Sequence, residues 1–210
     1  MKQLLFVFLI ILNIQAFGQL ERSKSVFWFI PSVDTQINGI ASGLVINSMK
    51  DTDSLITTEI NGLSVELIGV GLFLPLAPSS PIYDIDRNFV YTSETVDSII
   101  ESYNYVKYKV NGVSCSAGGI AGQDVHVNGI NLSGINTLTG KTNGLSACIL
   151  LNINGVVNGV SIGGLMNHTI QSKGLQIGIF NKTLNLKGIQ IGLWNRNEKR
   201  GFPIVNWDFE

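Results

Sequence analysis

The chain has 210 residues, of which 14% are charged and 23 are glycine, and its formal net charge is −1. Globular proteins average about 25% charged residues and about 7% glycine, so this composition is apolar and glycine-rich. A nearly neutral chain lacks the clustered Lys and Arg of nucleic-acid-binding proteins. Its 45% hydrophobic content excludes a disordered chain, and its length suits one domain.

The first 18 residues have the three parts of a secretory signal peptide. Lys2 forms the positive n-region, residues 4–14 form an apolar run, and Ala16 and Gly18 are the small residues before a cleavage site at Gln19. The apolar run is shorter than the roughly 20 residues that span a bilayer. We therefore expect residues 1–18 to be removed and residues 19–210 to form one exported domain in the periplasm, at the cell surface or outside the cell.

A short repeat runs through most of the remaining chain. Glycine followed by an aliphatic residue recurs at spacings of 17, 15, 15, 15 and 14 residues, and asparagine precedes most of these glycines. The glycines are Gly112, Gly129, Gly144, Gly159, Gly174 and Gly188. Looser copies occur at Asn38-Gly39 and Asn61-Gly62. A fixed period of this length indicates a repeat architecture.

The residue pattern within one repeat is that of a β-strand. In the copy at 174–181, aliphatic residues alternate with Gln176, Gly178 and Phe180, which gives a period of two. A helix is disfavoured because each interior glycine costs about 1 kcal/mol relative to alanine. Asn-Gly is a turn signal because both residues tolerate positive φ. Each unit therefore predicts a strand of about seven residues, a turn near the closing asparagine, and a shorter second segment.

Two all-β architectures could use this glycine-rich unit. In a short parallel β-solenoid each repeat is one coil, equivalent residues stack, and asparagine side chains form ladders along the axis. The Asn and Gly columns favour this fold because a parallel stack gives every copy the same surroundings. The alternative is an antiparallel meander or small β-barrel, because one strand face is aliphatic while the other carries Gln, Ser and Gly.

A segment of different composition, at about 75–110, interrupts the repeat. It carries three prolines, five acidic residues and a tyrosine-rich end, and it predicts an ordered excursion loop. If exposed, Tyr103, Tyr105 and Tyr108 would form an interaction surface for a carbohydrate or a protein; if buried, they belong to the core. The chain's other aromatic cluster, Phe27-Trp28-Phe29, is more apolar and is interpreted as core.

The sequence offers few residues for catalysis. His126 and His168 are the only histidines, and Asp124 is the only acidic residue between positions 111 and 195. Hydrolysis of polysaccharides requires two convergent carboxylates or a metal, which this array does not supply. Asp124 and His126 could form an acid–base pair, but without a nucleophile a polar turn is the favoured interpretation. We expect no catalytic, cofactor-binding or metal-binding residues, and no enzyme.

The two cysteines are expected to be free. Cys115 lies three residues after Gly112 and Cys148 four residues after Gly144, so their side chains point to opposite faces of a strand. In a solenoid they also lie two coils apart, about 9.5 Å, whereas bridged cysteines need Cα atoms within about 7 Å. An intramolecular disulfide would contradict the solenoid.

The repeats carry a family resemblance. The G-[LI]-Q-I-G-[LI]-[FW]-N units at Gly174 and Gly188, the closing Asn206-Trp207 and the segment 61–67 resemble a group of uncharacterised secreted proteins from Bacteroidota-type bacteria. The units are also similar to bacterial surface-repeat proteins. The resemblance implies a β-repeat fold and an envelope or secreted location in a Gram-negative bacterium. It implies no activity, ligand or cofactor.

These observations predict a non-enzymatic, exported structural or interaction module of the bacterial cell envelope. Its partner would be an envelope protein or a carbohydrate, and association with the outer membrane is compatible with the apolar strands. A small outer-membrane β-barrel is the leading alternative because the strand faces alternate in polarity. An enzyme acting on envelope polysaccharide is the least favoured alternative because no site is identifiable.

Overall fold

The computed structural model describes residues 23–30, 32, 34–44, 58–76, 97–98, 100–101 and 103–210. The predicted signal peptide, 1–18, lies outside the described residues. Ten strands form one sheet whose spatial order equals the chain order. The strands are β1 (Ser23–Ile30), β2 (Thr35–Gly43), β3 (Thr58–Glu66), β4 (Tyr108–Ser116), β5 (Ala121–Ser133), β6 (Thr137–Cys148), β7 (Leu151–Gly163), β8 (Met166–Ile177), β9 (Phe180–Arg196) and β10 (Gly201–Asp208).

Parallel pairing along the chain identifies the fold as a β-solenoid. Strands β1 to β9 pair parallel with their neighbours, and only β10 is antiparallel. The repeat glycines lie opposite one another, as in the pairs Gly112 with Gly129 and Gly144 with Gly159. Equivalent residues therefore stack, which confirms the predicted solenoid over an antiparallel arrangement of the repeats.

The Asn-Gly positions are bends within strands and do not end them. Strands β5 to β9 are 12 to 17 residues long and pass through the Asn-Gly or Lys-Gly dipeptide, so the prediction of seven-residue strands with a turn near the closing asparagine was wrong. Gly159 has a φ of 137°, and a Cβ there would lie 2.1 Å from the carbonyl oxygen of Gly144. Only glycine fits this bend because the neighbouring coil approaches so closely.

The asparagines before the bends form the predicted ladder along the axis. Asn128 donates from Nδ2 to Oδ1 of Asn111 at 2.8 Å, and Asn143 donates to Asn128 at 2.7 Å. Asn158 continues the ladder by donating to Asn143 at 2.6 Å. The same bonds link Asn38, Asn61 and Asn111. Each amide uses both its donor and its acceptor, so the bend side chains are held in one row.

The interior changes from apolar to polar along the axis. Strands β1 to β5 enclose an aliphatic cluster that includes Ile37, Ile60, Val110 and Val127. In the later coils the inward residues are mostly amides and hydroxyls, all fully buried, such as Ser161, Gln176 and Gln190. Buried polar groups are tolerated when they are hydrogen-bonded, and the stacked coils supply those bonds.

The polar interior is connected from coil to coil. Asn181 donates from Nδ2 to Oδ1 of Asn195 at 2.7 Å, and its Oδ1 accepts from Nδ2 of Asn167 at 2.7 Å. The hydroxyls of Thr169 and Thr183 also contact each other. This is the second side-chain ladder of the molecule, and it lies inside the coils.

The excursion covers one outer side of the solenoid. It occupies residues 67–107, a few residues earlier than the predicted 75–110, because β4 already begins at Tyr108. The 3-10 helix Val70–Leu76 places Leu74 against Leu138 and Ile153. Further along, Tyr103 packs with Ile170. The strand segments before the bends are therefore shielded from solvent on their outer side.

An antiparallel hairpin ends the array. Asn206 of β10 donates from Nδ2 to Oε1 of Gln190 at 2.9 Å, which completes the interior ladder. Lys199 forms an ion pair with Asp208 at 3.0 Å, and Arg200 lies over the ring of Trp207 at 4.8 Å. The last strand thus has a reversed direction and a charged margin, both of which discourage a further strand from pairing with it.

The two cysteines are free and lie on opposite sides of the sheet, as predicted. Cys115 pairs in register with Leu132 and is partly exposed, whereas Cys148 pairs with Ser133 and is buried. Burial raises the pKa of the Cys148 thiol to about 12. The cysteines therefore cannot form a disulfide within one chain.

Candidate interaction surface

The strand segments after the bends present a continuous apolar surface, which we call the aliphatic face. After each bend glycine, the first and third residues point outward while the second and fourth point inward. Register pairing aligns the outward residues in two columns across all ten strands. The first column is Phe27, Ile40, Leu63, Val113, Ile130, Leu145, Val160, Leu175, Ile189 and Trp207; the second is Phe29, Ser42, Val65, Cys115, Leu132, Ala147, Ile162, Ile177, Ile191 and Val205.

The inward residues explain why the aliphatic residues point outward. Gln176 lies between Leu175 and Ile177 on β8 and is fully buried, with Nε2 donating to Oγ1 of Thr169 at 2.9 Å. Its Oε1 accepts from Thr183 Oγ1 and from Gln190 Nε2. A strand with a period of two cannot turn both sets of side chains inward, so hydrogen-bonded amides occupy the interior and the aliphatic side chains face outward.

None of the 20 positions of the aliphatic face is charged, and Ser42 is the only hydroxyl-bearing residue among them. The side chains are open to solvent: Ile130 is 39% exposed, Leu132 is 42% exposed and Ile191 is 42% exposed. Single exposed aliphatic residues are ordinary on protein surfaces, whereas a contiguous apolar patch on this scale marks an interaction site.

Aromatic side chains close the aliphatic face at both ends. Phe27 and Phe29 lie on β1 with their rings edge to face at a centroid distance of 5.3 Å, and Trp207 lies on β10. The interpretation of Phe27 and Phe29 as core was wrong, since they are 50% and 45% exposed; Trp28, which alternates with them, packs against the interior cluster. The two phenylalanines therefore belong to the outer surface.

The long border of the aliphatic face is mostly neutral. The bend column beside it carries the asparagine ladder from Asn38 to Asn158 and becomes charged only at Lys173 and Lys187. The side chains of the ladder are bonded to one another, so they form a fixed polar edge. This border limits the apolar surface on one side without adding charge along most of its length.

The three tyrosines expected to form an interaction surface do not lie together. Tyr103 and Tyr108 are buried, and burial raises the pKa of each phenol to about 12. The hydroxyl of Tyr108 donates to the carbonyl oxygen of Ser32 at 2.7 Å, and Tyr103 packs against Gly155 and Ile170. Only Tyr105 is exposed, so an interaction surface made of all three rings is incorrect.

His126 has a structural hydrogen bond. Its Nε2 lies 2.6 Å from the carbonyl oxygen of Tyr103, and because a carbonyl only accepts, Nε2 carries the proton. Burial lowers the pKa of His126, which favours the neutral ring. Asp124 contributes its carbonyl oxygen to the amide of Lys107 at 3.0 Å. Both residues fasten the end of the excursion to the solenoid.

Clusters that could hold a metal ion are absent from the part of the chain that the structure describes, where no three His, Cys, Asp or Glu side chains come together. Among the same residues, no helix is long and apolar enough to cross a membrane.

Comparisons with protein-family models, with curated proteins and with solved structures find no match to this chain. The aliphatic face is therefore assessed on its own chemistry.

Sequence analysis identified the alternation that produces the aliphatic face but did not assign its direction. The signal was present in the composition of the inward positions, which are Ser, Asn or Gln in seven of eight coils from β2 to β9. Amides and hydroxyls at one position of every coil can bond along the stack, whereas aliphatic side chains need no partner.

Proposed function

We propose that the protein is a non-enzymatic, exported structural or interaction module of the bacterial cell envelope, and that its working surface is the aliphatic face. The observation that carries the proposal is the absence of charge from two outward columns that cross ten strands. A surface of this kind is stabilised when another surface removes it from water.

Export is supported by residues 1–18, whose charged start, apolar run and small residues before Gln19 are those of a signal peptide. The resemblance to secreted β-repeat proteins of Bacteroidota-type bacteria supports the same location. A solenoid suits a structural role because each coil contacts only its neighbours and the flat sides stay available for binding.

Cell fractionation and mass spectrometry test export. In a Gram-negative host the full chain should lose residues 1–18, begin at Gln19 and appear outside the cytoplasm. A cytoplasmic protein that retains residues 1–18 would overturn the proposed location.

Crosslinking in cells tests the working surface. Ile177→Glu places a carboxylate in the second column of the aliphatic face, where the side chain is 37% exposed and the backbone is unaffected. Formaldehyde-crosslinked species seen with the wild-type protein should be lost in this variant. Gln171→Glu adds the same charge to the same strand before the bend and should retain them. Equal crosslinking of both variants would show that another surface makes the contacts.

A further inference from the structure

We infer that the aliphatic face binds a second copy of this chain, so that two solenoids pack face to face about a two-fold axis that lies between them. This inference rests on the proposed function, because it names the partner of the surface proposed there. Its support comes from the area, the spacing and the border of that surface.

The area matches the requirement of a stable dimer. Ten strands at about 4.8 Å give a length of roughly 43 Å, and outward positions about 6.7 Å apart give a width of roughly 17 Å when the edge residues Ile179 and Leu193 are included. The face is thus on the order of 700 Å² per copy, or about 1,400 Å² for two copies, which is within the range of specific protein interfaces.

The spacing makes the surface complementary to itself. Side chains repeat along each column at the strand spacing because the register is constant from Leu63 to Ile189. Two surfaces with identical spacing can place the side chains of one between those of the other, as in paired sheets about 10 Å apart. A two-fold axis then buries the same residues on both copies and leaves no apolar patch for a third.

The border favours a protein copy over a lipid surface. Interfacial membrane-binding surfaces carry Lys and Arg beside the apolar residues, because these attract anionic headgroups. Here the bend column is an asparagine ladder through six coils, and only Lys173 and Lys187 are basic. A neutral border imposes no charge repulsion between two identical chains.

The hairpin at the C-terminal end directs association to the face. End-to-end stacking of solenoids would need a free strand that accepts a parallel neighbour, but β10 runs antiparallel and its ladder has a bulge between Phe202 and Ile204. The ion pair of Lys199 with Asp208 adds charge there. The face, unlike this end, has neither charge nor irregularity.

Sedimentation equilibrium of the purified exported protein tests the inference directly. The wild-type chain should sediment at twice the monomer mass at micromolar concentration, Ile177→Glu should sediment as a monomer, and Gln171→Glu should remain a dimer. Circular dichroism of both variants should match the wild type, since both positions are partly exposed. A wild-type protein that is monomeric at all concentrations would overturn the inference.

Cys115 provides a probe inside the face that needs no added label. It lies in the second column on β4, four strands from Ile177, so the substitution does not touch it. Its reaction with maleimide should be about tenfold slower in the wild-type dimer than in Ile177→Glu, because the partner covers the thiol. Cys148 is buried in both and serves as the unreactive control.

Vesicles separate the failure of this inference from the failure of the proposed function. If the protein is monomeric and Cys115 becomes protected only when phosphatidylcholine or phosphatidylglycerol vesicles are added, the partner is lipid and only the dimer is wrong. If Cys115 reacts equally with and without vesicles in a monomeric protein, and Ile177→Glu crosslinks in cells like the wild type, both proposals are wrong.

Discussion

Gln190 lies directly beside Gln176 in the interior of the solenoid and donates from Nε2 to its Oε1 at 2.7 Å. Both amides are fully buried. Asn206 of the last strand continues the row by donating to Oε1 of Gln190. The interior of the later coils is thus held together by directional bonds, whereas the outer surface carries the aliphatic residues that usually form a core.

We predict that Gln176→Leu destabilises the protein by about 2–4 kcal/mol, because it leaves Thr169, Thr183 and Gln190 without a partner in a buried site. Urea denaturation measures the effect. Gln171→Leu on the same strand is the control and should change stability by less than about 0.5 kcal/mol, since Gln171 is partly exposed. Equal losses would show that the ladder adds no stability.

Glycine at the inward position after the last bend is required by close packing. A Cβ on Gly192 would lie 1.9 Å from the carbonyl oxygen of Gly178, whereas the nearest atom to a Cβ on Gly201 is a ring carbon of Trp194 at 3.3 Å. Gly192→Ala should lower the melting temperature clearly more than Gly201→Ala. Similar melting temperatures for the two variants would contradict the stacked arrangement.

The stability should fall as the pH decreases through the range of histidine titration. Because the pKa of His126 is lowered in the folded protein, the unfolded chain binds the additional proton first, so stability is lost as the pH falls below about 6.5. His126→Gln removes this titration, and its stability relative to the wild type should improve from pH 7.5 to 5.5. A constant difference over that range would show that His126 titrates normally.

Thiol titration should distinguish the two cysteines. The unfolded, unreduced protein should yield two reactive thiols per chain, since both cysteines are free. In the folded protein Cys148 should not react at pH 8, because it is buried and its pKa is raised to about 12. A disulfide between Cys115 and Cys148 would contradict the register of β4 to β6.

Truncation after Asn195 should cause aggregation. It removes β10, which exposes the edge of β9 and leaves Oε1 of Gln190 without the amide of Asn206. Light scattering during refolding measures the result. Asn206→Ala keeps the strand and should remain dispersed with reduced stability, so a truncated chain that stays dispersed would show that β10 is not a cap.

Much of the fold could be predicted from the sequence because the information is local and repeated. The Asn-Gly dipeptides set the register, and the constant spacing from Gly129 to Gly174 determines the parallel stacking. The bends were misread as turns because the backbone that a glycine allows depends on the neighbouring coil, in this case the carbonyl oxygen of Gly144 near Gly159.

The surface could be predicted only in part. Alternation in Leu175, Gln176 and Ile177 fixes two faces, but which one points inward depends on bonds to the next coil, such as that from Gln190 to Gln176. Likewise, the burial of Tyr103 depends on the gap above Gly155, more than 50 residues later in the chain. Contacts between distant segments of this kind leave no trace in a local pattern.

Constant register also determines how the molecule responds to force. Each coil is attached to the next by one row of strand hydrogen bonds, and the two chain ends lie at opposite ends of the stack. Tension applied between β1 and β10 therefore peels the outermost coil first. Each released coil of about 15 residues adds roughly 50 Å of extended chain. The solenoid would therefore lengthen in equal steps under load, with the undisturbed coils keeping their shape.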